Sequence, residues 1–430
     1  MVYILDLFYV LILALLAPFL LRRRAKTGRY RRLLLPKLLG TTVKSSSQKP
    51  YALFHGVSVG EVHLLEPIIR SFLQHHSGWG FYLSTSTDAG YDEACRIFGI
   101  ENVCAAPFDF TWAVKRTLFS MKPKLIVLAE SDLWPNFLTI ANQVKIPVVV
   151  VNGRISPRSA KRYQLFKSIL YRLLLRKVTH FCMQSEHYTQ LMAGLGVCSN
   201  RLTITGSVKY DRSSVVISPD TLGRMRQELG IHTNQVVFVA GSTHAPEEEI
   251  CLQVFQNLLA KFNQLRLILV PRSPERFVEV EHLIRGAGFE CQLRTQQFQK
   301  SEVYNKPVIL INRMGELGTV WALADVAFVG GSLCTTRGGQ SMIEPAGLGI
   351  PLVFGPHTWN FRDAVNGLLH HNGAVVVHDQ AELAFQLEKM LTDRTTAAAM
   401  GANAKNYAHS QLGATHRTVE VLTQIVEESQ

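Results

Sequence analysis

The chain has 430 residues, 47% of them hydrophobic, with seven cysteines and a formal net charge of +12. That composition suits packed cores and excludes a disordered chain. The cysteines, at 95, 104, 182, 198, 251, 291 and 334, are odd in number and form no C-x-x-C, which excludes a disulfide framework and a structural zinc site and points to a reducing compartment.

The charge is concentrated. Residues 22–49 carry ten Lys or Arg and no acid, residues 1–21 carry only Asp6, and residues 50–430 keep a net +3. A nucleic-acid-binding protein would spread basic residues over a working face, so no nucleic-acid partner is expected. In chain order, the first predicted element is the apolar tract VYILDLFYVLILALLAPFLL, residues 2–21. As a helix, its 20 residues would reach about 30 Å, the thickness of a hydrocarbon core. RRRAKTGRYRR follows at once and, by the positive-inside rule, faces the cytoplasm. A cleaved signal peptide would carry its charge before the apolar run. The expectation is a membrane anchor over 1–21, with a basic collar and linker over 22–49 that favours anionic lipid. Asp6 and Pro18 weaken a full span, so a helix lying in one leaflet stays open as an alternative.

KSSSQKP, residues 44–50, reads as linker. Beyond it, β-rich runs alternate with helical patterns: YALFHGV (51–57), WGFYLST (79–85), KLIVLA (124–129), PVVVV (147–151) and THFCM (179–183). After the first run, Leu65, Ile68, Ile69, Phe72 and Leu73 share one helical face. The pattern pauses near 206–219 and restarts with QVVFVAG (235–241), LRLILVP (265–271), PVILI (307–311), DVAFVGG (325–331), PLVFG (351–355) and AVVV (374–377). Fully apolar strands separated by helices predict parallel sheets covered on both faces. The expected fold class is α/β, with two doubly wound Rossmann-type domains, 50–206 and 231–430, facing a cleft. A linker is expected over 207–230, and the last helices are expected to pack back on the first domain.

The turns after these strands hold the candidate chemistry. In HGVSVGEV (55–62), Glu61 falls at a helix start beyond a strand. Two readings are open: a first-turn acid favoured by the helix dipole, or a catalytic base at the carboxyl end of a parallel strand. The dipole would also favour the charged form, ready at neutral pH. Glu130 follows KLIVLA directly, and Lys209 in GSVKYD is either a solvated lysine or a cation for a leaving phosphate. In GSTHAPEEE (241–249), Ser242 and Thr243 are candidate caps and the backbone N–H groups are candidate phosphate donors. In RGGQSMIEPAG, Glu344 is placed either to cap a helix or to accept ribose hydroxyls. G-x-G-x-x-G after the first strand, G-x-x-x-x-G-K-[ST], H-E-x-x-H and G-x-S-x-G are all missing, which disfavours a dehydrogenase, a P-loop NTPase, a zinc protease and an α/β-hydrolase.

Taken together, HGVSVGEV, AESDLWPN, NGRISPRS, GSVKYD, GSTHAPEE, LVPRSPERF, DVAFVGGSL, RGGQSMIEPA and GPHTWNFRD resemble the bacterial 3-deoxy-D-manno-octulosonic acid (Kdo) transferases of lipopolysaccharide synthesis. The resemblance covers nearly the whole chain. It implies a GT-B fold, CMP-Kdo as donor, lipid IVA as phosphorylated lipid acceptor, no cofactor, and an inverting transfer that needs no metal ion. It also implies attachment to the cytoplasmic side of the inner membrane. Carried over by position, Glu61 is the proton acceptor, and Glu130 and Lys209 stabilise the transition state. Pro271, Arg272, Met314, Gly315, Glu316, Ser341, Met342, Ile343 and Glu344 are the CMP contacts. The sequence departs from the family pattern at Ser273, where the family has His, and at Gln340, Ser341 and Met342, where it has His, Asn and Pro. The alternatives are a GT-B transferase using another nucleotide sugar, such as a UDP-sugar, and a membrane-tethered nucleotide- or lipid-binding protein without turnover.

Overall fold

The computed structural model describes residues 3, 5–12, 14–15, 22, 33–41, 49–212, 217–296 and 308–428. It divides into two compact units, Met1–Val208 with Gly413–Gln430, and Lys209–Leu412.

The first unit is built on seven strands: β1 (Tyr51–Gly56), β2 (Gly80–Thr85), β3 (Val103–Ala105), β4 (Leu125–Ala129), β5 (Val148–Gly153), β6 (His180–Met183) and β7 (Leu202–Ile204). Their order is β3-β2-β1-β4-β5-β6-β7, and every pairing is parallel. Both faces of the sheet are buried because the strands are apolar on both sides, as in Leu125–Ala129 and Val148–Val151. Leu65, Ile68, Ile69 and Phe72 of the helix Val59–His75 fill one core, as their spacing predicts. The three-residue strands β3 and β7 carry no periodic signal long enough to read from sequence.

The helix Ala414–Glu428 returns to this unit. It sets Val419, Leu422, Ile425 and Val426 into the same core, and Arg417 Nε donates to Thr205 O at 2.9 Å.

The second unit repeats the plan with β8 (Val236–Thr243), β9 (Leu265–Pro271), β10 (Cys291–Leu293), β11 (Val308–Leu310), β12 (Val326–Val329), β13 (Leu352–Phe354) and β14 (Ala374–Val376). The order is β10-β11-β9-β8-β12-β13-β14, again all parallel. Of the stretch read as a linker over 207–230, residues 209–212 and 217–230 belong to this unit. Tyr210, Met225 and Leu229 pack into the core of this unit, and the helix Pro219–Glu228 is capped by Ser218.

The amino-terminal expectations change as well. Among the described residues no helix is long and apolar enough to cross a membrane; residues 2, 4, 13 and 16–21 of the anchor tract lie outside them. Asp6 is buried and accepts from Thr111 N at 2.9 Å and Asn136 Nδ2 at 3.0 Å. Tyr9 donates to Asp109 Oδ2 at 3.1 Å. A carboxylate bound in this way fastens residues 5–12 to the first unit. Within the collar, the helix Leu34–Leu39 packs on the same unit, and the amine of buried Lys37 donates to Ser86 O. Lys37 is thus a structural cation and not a lipid-facing one.

Candidate functional site

In each sheet the chain reverses direction of winding beside the first strand. In the first unit β1 has β2 on one side and β4 on the other. In the second unit β8 has β9 on one side and β12 on the other. Ligands of open α/β sheets bind at such switch points, outside the strand carboxyl ends.

Glu61 and Glu130 follow the two strands that flank the first switch point, β1 and β4. Glu61 lies in the first turn of the helix Val59–His75, and its Oε2 accepts from Val57 N at 2.6 Å. Gly56 permits this approach: a Cβ there would lie 3.1 Å from the Glu61 Cβ. Burial pushes the Glu61 carboxyl above its ordinary range, Val57 N–H pulls the other way, and the charge of Glu130 pushes up again. Desolvation is the largest of these effects.

Glu130 holds a left-handed φ of 57°, as do Asn152 and Ser242 with φ of 54° and 55°. All three sit at strand carboxyl ends, and strained non-glycine residues of this kind cluster at functional sites. Arg154, beyond β5, donates to Glu130 Oε2 through Nε at 3.0 Å and pairs with it through Nη2 at 3.0 Å. Asp132, two residues on, meets His55 Nε2 at 2.9 Å. Lys209 belongs to the second unit and lies on the short helix Val208–Asp211.

In the second unit the turns after β8, β9, β11 and β12 gather the remaining predicted residues. Pro271 closes β9, and Arg272 N donates to Thr243 O at 3.1 Å, which leaves the exposed guanidinium beyond the strand end. Met314 and Gly315 are exposed, and Glu316 is tied to Arg294 Nε at 2.9 Å. Ser341 is partly exposed, whereas the Met342 and Ile343 side chains are buried in the core, so that pair offers a ligand only its backbone. Glu344 is half-buried. Burial raises its carboxyl, and the charge of Arg212 opposes that rise.

The candidate caps Ser242 and Thr243 do not cap. Both lie in β8, and the following helix starts at Glu247. Glu247 is fully buried and accepts four backbone N–H groups: His244 at 2.9 Å, Gly331 at 2.7 Å, Ser332 at 2.9 Å and Leu333 at 2.9 Å. The N–H groups of 331–333 thus hold an internal carboxylate, which pins the β8 turn to the β12 turn. Beside it, burial keeps His244 below its ordinary pKa, and the charges of Arg337, Arg276 and Arg272 add to that effect. The charge of Glu248, which is salt-bridged to Arg276, opposes that effect, and the exposed Arg272 and Arg337 would favour an anion at this end of the sheet. Gln340, one of the departures from the family pattern, lies 3.4 Å from His244 Nε2. Among the described residues no three His, Cys, Asp or Glu side chains gather as a metal site.

Sequence reasoning missed His55, Asp132, Arg154 and Glu247. Each lies inside a motif quoted above, but each acts through a partner on another strand or turn.

Comparison with known proteins places these features. A family model described as 3-deoxy-D-manno-octulosonic-acid transferase (kdotransferase) matches residues 26–212. The 3-deoxy-D-manno-octulosonic acid transferase of Haemophilus influenzae is 31% identical over 98% of both chains. That of Chlamydophila psittaci is 28% identical over 85% of this chain and 83% of its own. Among solved structures, the UDP-GlcNAc 2-epimerase of Neisseria meningitidis aligns over 88% of this chain and 100% of its own, with a TM-score of 0.60 and 14% identity. That likeness concerns the two-domain α/β fold alone.

Proposed function

The chain belongs to the 3-deoxy-D-manno-octulosonic acid transferase family, glycosyltransferases that place Kdo in lipopolysaccharide biosynthesis, and from that premise we propose that it moves Kdo from CMP-Kdo to lipid IVA with inversion at the anomeric carbon. The observation that carries this reading is the pair Glu61 and Glu130 at neighbouring strand ends. One of these carboxylates is salt-bridged to Arg154, and the other is held by a single backbone N–H.

A carboxylate raised by burial is a better proton acceptor than one in water. Glu61 takes the proton from the acceptor hydroxyl as that oxygen attacks the anomeric carbon. Glu130 adds negative charge near a centre that becomes positive in the transition state. CMP leaves from the opposite face with its bonding electrons, and the cations Lys209 and Arg272 offset the charge that develops on its phosphate. Glu344 suits the ribose hydroxyls, since it is an acceptor with no hydrogen-bond partner among the described residues. Those cations make a metal ion unnecessary in this reading. EDTA-treated enzyme should keep its rate, and loss that magnesium restores would count against it. The apolar, exposed side chains Leu7, Phe8, Leu11 and Leu15 support attachment to the cytoplasmic face of the inner membrane.

The deciding experiment incubates purified protein with CMP-Kdo and lipid IVA and weighs the lipid by mass spectrometry. Increments of one or more Kdo units are the expected result. No increment from folded protein would redirect the search to another donor or acceptor, and protection from heat by CMP or by UDP would then separate the donors.

A further inference from the structure

We propose that Lys37 and Thr87 are positioning residues for Glu61: together they hold Val57, the residue whose N–H group orients the Glu61 carboxylate. The inference rests on the transferase reading above, in which Glu61 is the proton acceptor.

The contacts form one chain inside the first unit. Val57 directly follows β1, and its N–H donates to Glu61 Oε2 at 2.6 Å. The Ser58 hydroxyl stands farther off, 3.5 Å from Oε1. Val57 is gripped from its other side as well. Its carbonyl accepts from Thr87 N at 3.2 Å and from the Thr87 hydroxyl at 3.0 Å. Thr87 caps the helix Asp88–Phe98, where its hydroxyl accepts from Gly90 N at 3.1 Å. Every direction in this chain is fixed, because a backbone N–H only donates and a carbonyl only accepts. Gly90 permits the approach: a Cβ there would lie 2.9 Å from the Thr87 hydroxyl oxygen and 3.4 Å from Val57 O.

Lys37 completes the chain. The peptide group that joins Ser86 to Thr87 gives its N–H to Val57 O, and its carbonyl oxygen accepts from the Lys37 amine. Lys37 is 7% exposed, and its own carbonyl accepts from Phe108 N at 2.8 Å. The helix Leu34–Leu39 is thus fixed through this residue from two directions. Burial lowers the Lys37 pKa and the charge of Asp88 opposes that, but an amine donates with or without its extra proton.

The grip matters because Val57 N–H favours the charged form of Glu61 against the effect of burial. A Val57 turn set free weakens that bond and raises the carboxyl further. The other charged groups that face Glu61 among the described residues are Glu130 and Asp132, from the turn beyond β4, and His55, from β1. Substitutions at Lys37 and Thr87 leave all three in place.

Two measurements test this. In nitrogen-15-labelled protein the Val57 amide, assigned with Val57→Ala, should titrate with Glu61. Lys37→Met and Thr87→Val should each move that midpoint to higher pH, and Thr87→Ser, which keeps the hydroxyl, should leave it at the wild-type value. This readout needs no turnover, so it stands even where Kdo transfer itself is absent. In the transfer assay the acidic limb of kcat/KM should move the same way. On that limb the rate should fall about threefold to tenfold, short of the 10²–10⁴ that a general base itself contributes, and CMP should still protect the protein from heat. A midpoint that moves while the limb stays would support the grip on Glu61 and count against Glu61 as the base. A midpoint that stays at the wild-type pH in Lys37→Met and Thr87→Val, however far the melting temperature falls, would make both residues props of the fold alone and overturn the proposal. Should Lys37→Met fail to fold, the comparison of Thr87→Val with Thr87→Ser decides.

Discussion

At the scale of single residues, the proposed mechanism turns on Glu61. Burial holds its carboxyl above the ordinary range, and the base must be ionised to accept a proton. Activity should therefore rise with pH through that raised pKa, and the acidic limb of kcat/KM should lie above that of a solvated glutamate. Glu61→Gln keeps the shape and removes the base, so kcat should fall by roughly 10²–10⁴ while CMP still protects the protein from heat. A Glu61→Gln enzyme with its rate intact would take the residue out of the mechanism. The positions of Glu61 and Glu130 beyond β1 and β4 were legible in the sequence, because an apolar run precedes each. Their partners were not. His55 and Asp132 stand 77 positions apart, and only the placement of β4 beside β1 brings them within 2.9 Å.

At the scale of elements, strands inside wholly apolar runs announced themselves, and the short strands β3, β7 and β10 did not. Their short runs hold too few residues for a period to show. The turns were harder to read than the strands. GSTHAPEEE looked like a capped helix start with free N–H groups for phosphate. In the fold, Glu247 satisfies the N–H groups of Gly331, Ser332 and Leu333 across 84–86 positions of sequence. A carboxylate in this cradle fixes the β8 turn against the β12 turn. Glu247→Gln would turn an amide N–H₂ toward donors that need an acceptor. The cost should be roughly 1.5–3 kcal/mol of stability. Affinity for CMP, followed by calorimetry, should weaken more than kcat at saturating donor. Unchanged affinity with lowered stability would mean that the clamp serves the fold alone.

At the scale of the whole chain, two segments far apart in sequence both belong to the first unit. The helix Ala414–Glu428 is one of them. The amino-terminal tract reads as an anchor in which Asp6 and Pro18 weaken a full span, and hydropathy alone does not reveal the partners of Asp6 at Thr111 and Asn136. With Asp6 and Tyr9 bound to protein, Leu7, Phe8, Leu11 and Leu15 remain exposed. An apolar face of this kind suits the boundary between headgroups and acyl chains, aided by the basic residues that follow. The two roles of the segment can then be separated. Replacing Leu7, Phe8, Leu11 and Leu15 together by Ser should strip the protein from anionic vesicles in a flotation assay while leaving its melting temperature nearly unchanged. Asp6→Ala should act in the opposite sense: it leaves the Thr111 N–H buried without an acceptor, at a cost of about 1–3 kcal/mol, and keeps the apolar face. Vesicle binding that survives the fourfold Ser replacement would place the membrane contact elsewhere on the chain.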